Sequence, residues 1–276
     1  MSISTSSPII ICADDFAISP EVSQGIVQLA ELSRISATSV MSLSPHWPET
    51  SRYLQKVKHQ IDVGLHFDFT SEFSILAGQG SSLSSLMLKS CLRAIQPSII
   101  EGALHQQLDL FELHHGEPPK HIDGHQHVHQ FPVIRDVLIK VLNSRYDAVQ
   151  MPWLRIAKIP KSQLNLKGSV INAMGADALQ QLAVAHQIPH SSALTGIYNF
   201  EGDAQKYFQF LGECLKNLPA NSVFMCHPGL TGPHEVPFPL ARVWEQSVFQ
   251  SKVTPELLKS MGLALVRGSQ SLLRNF

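Results

Sequence analysis

Pro8-Ile9-Ile10-Ile11-Cys12-Ala13-Asp14-Asp15 is the stretch on which the fold class turns. A short, uninterrupted apolar run of this kind suits a parallel strand covered on both faces. It stops abruptly at two adjacent carboxylates. Ser19-Pro20 then offers an N-cap followed by proline at the first helical position, and Val22, Ile26, Leu29 and Ala30 continue at helical spacing. The order is strand, carboxylate-bearing loop, helix.

The same unit recurs outward from there. Residues 37–43 read as a strand and 48–57 as a short helix. Residues 61–69 form a strand with Val63, Leu65, Phe67 and Phe69 on one face and Gly64, His66 and Asp68 on the other. A Gly/Ser-rich stretch at 71–85 is long for a βα loop and reads as a lid or substrate loop. Helical patterns fill 86–115, followed by a strand at 120–123, a helix at 132–142 and a strand at 148–153. Residues 158–174 show weak periodicity and read as a second long loop. Helices at 177–186 and 204–217 alternate with strands at 193–200 and 222–226, and Thr254-Pro255 caps a last helix before a strand at 263–266. Strands alternating with helices imply a parallel sheet. Seven or eight such units, with no composition break, predict one domain over 1–276: a distorted (β/α) barrel rather than a doubly wound sheet.

Composition narrows the function classes. The chain is 44% hydrophobic and 16% charged, too apolar for disorder. Lys plus Arg is 21 against 22 for Asp plus Glu, so no general attraction to nucleic acid or anionic membrane is expected. No apolar run approaches the roughly 18 residues of a membrane span. Met1 to Pro8 holds no basic residue, unlike a secretory leader. A soluble cytoplasmic protein is the expectation. Cys12, Cys91, Cys214 and Cys226 include no C-x-x-C pair and read as reduced thiols.

Histidine is the unusual count, at 14. In a barrel the active site lies at the C-terminal ends of the strands. Those ends carry Asp14 and Asp15, His66, the run His121-Ile-Asp123-Gly-His125-Gln-His127-Val-His129, Arg155, and His227 before Pro228-Gly229. Each has a plainer reading alone: Asp14-Asp15 as a helix cap, His66 as a hydrogen-bonded barrel histidine, His227 as a strand terminator. The period-2 histidine run would share one face of a continuous strand, but Phe131-Pro132 starts a helix soon after. The chain therefore leaves the strand near Gly124, and two of the histidines serve loop backbone. Together the strand ends supply one carboxylate and two imidazoles for an open metal site, a second carboxylate as base, and a further histidine. That is hydrolytic equipment.

Four ordered blocks, Ala13-Asp14-Asp15-Phe16, Gly64-Leu65-His66-Phe67, His121 to His129, and Met225-Cys226-His227-Pro228-Gly229, resemble the signature blocks of the YdjC-like carbohydrate deacetylases, which include chitooligosaccharide and hopanoid-associated deacetylases. The resemblance spans about residues 9–229. It implies a barrel of the deacetylase superfamily and removal of an N-acetyl group from an N-acetylglucosamine unit. Carried over by position, Asp14 matches the catalytic base, and Asp15, His66 and His125 the metal ligands. His227 matches the general acid, and Arg155 an arginine on the substrate side. The resemblance suggests magnesium, whereas two imidazoles suit zinc, iron or cobalt by ligand softness. It is also compatible with a homodimer. Ala17 stands where the family usually has glycine, and Phe69 where it usually has leucine.

Two other readings share these residues. A two-histidine, one-carboxylate Fe(II) oxygenase uses the same ligand set, but in an antiparallel double-stranded barrel that the βα rhythm does not fit. A noncatalytic sugar-binding barrel would have no need of Asp14.

Overall fold

A computed structural model describes residues 6–272; Met1–Thr5, at the start of the segment read above for a leader, and residues 273–276 lie outside it. Eight strands form one sheet: β1 (Ser7–Phe16), β2 (Ala37–Val40), β3 (Asp62–Phe67), β4 (His121–Gly124), β5 (Trp153–Leu154), β6 (Leu194–Thr195), β7 (Ser222–Cys226) and β8 (Leu263–Leu265). Every pairing is parallel, in the order β5-β4-β3-β2-β1-β7-β6. β1 is the hub: its first residues pair with β8, its last with β2, and β7 runs along its other edge. The two ends of the path approach each other. Leu154 N–H donates to Pro189 O at 2.8 Å, Ser191 N–H to Leu154 O at 2.9 Å, and Leu194 N–H to Lys158 O at 2.8 Å. The result is the distorted parallel barrel expected from the alternation, closed by irregular backbone between β5 and β6. An antiparallel double-stranded barrel is not the frame.

The apolar run of β1 explains its central place. Ile9, Ile11 and Ala13 join the large outer cluster beneath the helices, whereas Ile10 and Cys12 join a small inner cluster with Ala37, Trp153, Leu194, Val223 and Met225. Period-2 alternation thus has two buried faces to serve, which is why no polar residue interrupts positions 8–13 of the strand. Trp153 fills the barrel floor and stacks on His121 at 4.5 Å between ring centroids. Gly64 makes room there, because a Cβ at that position would lie 2.4 Å from the His121 ring.

Several boundaries differ from expectation. Residues 86–115 are split, with helices at Leu83–Cys91 and Pro97–His115. β5 is only two residues, because the Asp147 carboxylate accepts the N–H groups of Val149 and Gln150 and turns the chain before Trp153. The presumed loop at 71–85 contains a short helix, Glu72–Leu76, capped by Ser71. The one at 158–174 contains helix Leu166–Ala173, started by Asn165, whose side chain accepts the Gly168 N–H; glycine and serine within it weaken the periodic signal. The sequence reading also passed over helix Pro239–Gln250, which reaches the site described below. Among the described residues no helix is long and apolar enough to cross a membrane.

Candidate metal centre and active site

Asp14 and Asp15 end β1, and on an ideal strand their side chains would point to opposite faces. The register with β2 slips between Ala13 and Phe16, and Asp15 takes φ 65, so both carboxylates turn inward. Ala17, in the place where glycine is usual, has φ 73, a conformation glycine enters freely and alanine only under strain. β4 ends at Gly124, and the next residues form a tight turn in which Gln126 and His127 are both left-handed, with φ 53 and 61. The histidine run is therefore not one polar face: its members diverge at the turn.

Three of them and their neighbours divide into distinct tasks. His66 Nε2 lies 3.5 Å from Asp15 Oδ1, and His125 Nδ1 3.4 Å from the same oxygen. One donor atom from each of Asp15, His66 and His125 falls within 4.8 Å of the other two. Bonds of about 2.1 Å to one ion at cis or tetrahedral angles would place donors about 3.0–3.4 Å apart, so little movement separates this cluster from a coordination shell. Asp15 Oδ1 is buried and accepts no hydrogen bond among the described residues. A buried, unsatisfied carboxylate oxygen facing two imidazoles is what a cation site looks like before its ion. His125, with 20% of its side chain exposed, marks the opening.

The groups behind these three are tightly paired. His66 Nδ1 meets Asp123 Oδ1 at 2.6 Å, which aims Nε2 at Asp15. Ser39 Oγ donates to Asp123 Oδ2 at 2.5 Å, and Arg155 Nη1 lies 3.0 Å from that oxygen. Arg155 also holds Asp14 through two bonds, Nη1 to Oδ1 at 2.7 Å and Nη2 to Oδ2 at 2.9 Å. Arg155 is buried, so one guanidinium orients both the candidate base and the partner of a candidate ligand. His129 Nε2 bonds the Arg155 carbonyl at 2.7 Å, a structural duty. His121 meets Ser39 Oγ at 3.0 Å and Cys12 Sγ at 3.8 Å inside the barrel. Asp68 accepts from the Thr70 and Ser71 N–H groups and the Ser71 hydroxyl, and so ties down its own loop.

Electrostatics follow from this pairing. Burial disfavours a charged His66, but the Asp123 and Asp14 carboxylates outweigh it and raise its pKa to about 9. Burial likewise works against an ionised Asp15, yet Arg242 and His125 hold it well below the usual carboxylate range. At His227 burial outweighs the Asp15 and Asp14 carboxylates and lowers the pKa to about 4, so its imidazole is neutral near pH 7.

Helix Pro239–Gln250 supplies two residues that sequence reasoning missed. Arg242 Nη2 donates to Asp15 Oδ2 at 2.6 Å. One turn on, the Glu245 carboxylate accepts the His227 backbone N–H at 2.5 Å and the Tyr198 hydroxyl at 2.6 Å. Glu245 is buried, and burial pushes its pKa up to about 7. The sequence signals the helix but not its buried face: Phe238-Pro239 opens a helix with proline in the first turn. Arg242, Glu245 and Gln246 then share the buried face with Ala241, Val248 and Phe249, and charges on a buried face call for partners.

Comparison with known proteins identifies the family and the fold. The family model described as YdjC-like protein matches residues 8–260. A carbohydrate deacetylase of Halalkalibacterium halodurans is 27% identical over 80% of this chain and 84% of its own length. A mouse carbohydrate deacetylase is 26% identical over 49% of this chain, and that match spans 47% of the mouse protein. Among solved structures, one from Enterococcus faecalis V583, provisionally assigned to cellobiose-phosphate cleavage, superposes with a TM-score of 0.73. It covers 96% of this chain and 98% of its own at 17% identity, a likeness of fold. With the model spanning nearly all of its length, the chain belongs to the YdjC-like protein family.

Proposed function

We propose that the protein is a metal-dependent carbohydrate deacetylase, with residues 1–276 acting as one catalytic domain that removes the acetyl group from an N-acetylglucosamine-type sugar. The observation that carries this is the unsatisfied Asp15 Oδ1 between the His66 and His125 nitrogens, with the Asp14 carboxylate beside it. The residues fit a divalent ion in type, number and spacing. Such an ion would polarise the acetyl carbonyl and make a neighbouring water more acidic. Two imidazoles favour zinc, iron or cobalt and the family resemblance favours magnesium, so the ion is decided by reconstitution, metal by metal.

The chain's own residues supply the proton transfers. Asp14 takes the proton of the attacking water; both its oxygens are held by Arg155, which fixes the carboxylate and keeps a lone pair on each free. The amide nitrogen must be protonated before the C–N bond breaks, because an amide anion is too basic to leave. His227, neutral at rest, holds no proton of its own for this. The proton Asp14 takes from the water is therefore relayed to His227 and from it to the amide nitrogen as the C–N bond breaks, so water and amide become acetate and a free amino sugar with protons conserved. Acetate release from a panel of N-acetylated sugars, with and without chelator, tests the proposal. Chelator-sensitive release from an amino sugar is expected; no release from any member, after each metal has been supplied, would overturn it.

A further inference from the structure

We propose that Phe200 and Phe238 form a wall on which the substrate's sugar ring stacks, making them specificity-determining residues on the leaving-amine side of the site. The two come from different loops, after β6 and after β7, yet their rings lie parallel, 4.0 Å apart at 10°. The edge of Phe200 meets the His227 imidazole at 5.3 Å. If His227 serves the amine, whatever flanks it flanks the sugar and not the acetyl group, so this inference rests on the deacetylase reading.

Three independent features set this pair apart from ordinary core packing. First, Phe200 and Phe238 both hold left-handed backbone, at φ 61 and 56. That conformation is strained for a bulky side chain and suits glycine or asparagine, and such strain gathers at functional sites. Second, Phe238 is 50% exposed, and Phe200 is its one ring partner among the described residues. Half of its surface is therefore left for a ligand to meet. Third, the Lys167 ammonium stands 5.5 Å from the Phe200 centroid and donates to the Tyr198 carbonyl at 3.1 Å. Phe200 is thus contacted by both Phe238 and Lys167, and Phe238 carries the exposed surface of the pair.

Those features match one ligand chemistry. A pyranose with equatorial hydroxyls presents a face of C–H bonds and a rim of oxygens. The C–H face packs on an aromatic face, and the rim oxygens stay turned to water or to polar groups of the site. A small acetylated amide without a ring would gain nothing from the wall. Phe238 therefore selects for the sugar, while the Asp15 cluster acts on the acetyl group.

The test is titration of the chelator-treated full chain with N,N′-diacetylchitobiose, followed by NMR of the sugar protons, for wild type, Phe238→Leu and Phe238→Trp. Circular dichroism confirms that each is folded. Wild type should shift the sugar's C–H protons upfield through the ring current. Phe238→Leu should lose that shift and bind about tenfold more weakly, and Phe238→Trp should restore both. In turnover on the disaccharide, Phe238→Leu should raise KM by a similar factor with kcat nearly kept. Equal affinity and equal shifts in wild type and Phe238→Leu, or no sugar binding by wild type, overturn the proposal. A protein that binds through Phe238 but never releases acetate keeps the wall and loses the deacetylase reading. Acetate release with an unchanged KM in Phe238→Leu does the reverse.

Discussion

The two sides of the site are built on different principles. On the β1–β3–β4 side, Asp14, Asp123, His66 and Arg155 are buried and joined by short charged contacts, so each group's position is fixed by another's charge. On the β6–β7 side, His227 is held through its backbone by Glu245 and flanked by a half-exposed aromatic pair on loops. The first side is preorganised for an ion and a proton transfer; the second leaves room for a substrate to choose its place. Substitutions on the first should therefore strike kcat and metal together, and those on the second should separate binding, pH response and stability.

The largest effect should come from the ligands. Asp15→Ala and His66→Ala each remove a donor, and loss of the several kcal/mol an ion supplies corresponds to on the order of 10³-fold in kcat or more. Metal content by elemental analysis should fall in parallel. Full metal content with full activity in either variant would dissolve the ligand assignment. Asp14→Asn should keep the ion and lower kcat by about 10²–10⁴-fold, as for a lost general base. Asp14 touches Arg155 on the same side, so retained turnover would show that this side holds the base in place without using it.

His227→Ala probes the other side. An amine needs a proton to leave and an activated ester's alcohol does not. The variant should therefore lose about 10²-fold on an N-acetyl sugar and much less on an activated acetyl ester. Equal losses on both would make His227 a positioning residue. Asp123→Asn returns to the first side at one remove: it weakens the orientation of His66 and should cost about 10–100-fold in metal affinity, read by competition with a chelator.

How much of each side was legible follows from where its residues sit in the chain. Asp14, Asp15, His66 and His125 stand at or just past strand ends, where an apolar run stops on a ligand-type residue, and a barrel brings such ends together. Arg155 could be placed at a strand end, but its bridge between Asp14 and Asp123 could not, because a guanidinium's reach across three strands leaves no trace in spacing. Arg242 and Glu245 lie on a helix whose polar buried face reads in sequence as an exposed one. Phe200 and Phe238 were illegible for another reason: two phenylalanines 38 positions apart in loops look like scattered apolar residues until backbone geometry stacks them. The histidine run misleads in the opposite direction, since period 2 suggests a strand where Gln126 and His127 in fact turn the chain.

The smallest effect on turnover, and the cleanest on stability, belongs to Glu245. Its carboxyl, ordinarily near 4.5, is raised by burial to about 7 in the folded chain. Between those values the folded protein holds a proton that the unfolded protein has lost. Stability from this group is therefore fully present below about pH 4.5 and falls as pH rises through about 7. At about 1.4 kcal/mol per pKa unit, the decline is of the order of 3 kcal/mol. Glu245→Gln cannot titrate. Its amide oxygen can still accept the His227 N–H, and its NH₂ can donate to the Tyr198 oxygen if that hydroxyl rotates, so the bridge survives. Urea midpoints of both proteins at steps from pH 5 to pH 8 read the difference. The buried histidines, whose lowered pKa values push stability the other way across part of this range, are common to both and cancel. Wild type should lose stability relative to the glutamine variant from pH 5 to about 7 and run parallel to it above that. Parallel curves throughout would mean that Glu245 is already ionised in the folded chain, with Arg242 compensating its charge more fully than the burial would suggest.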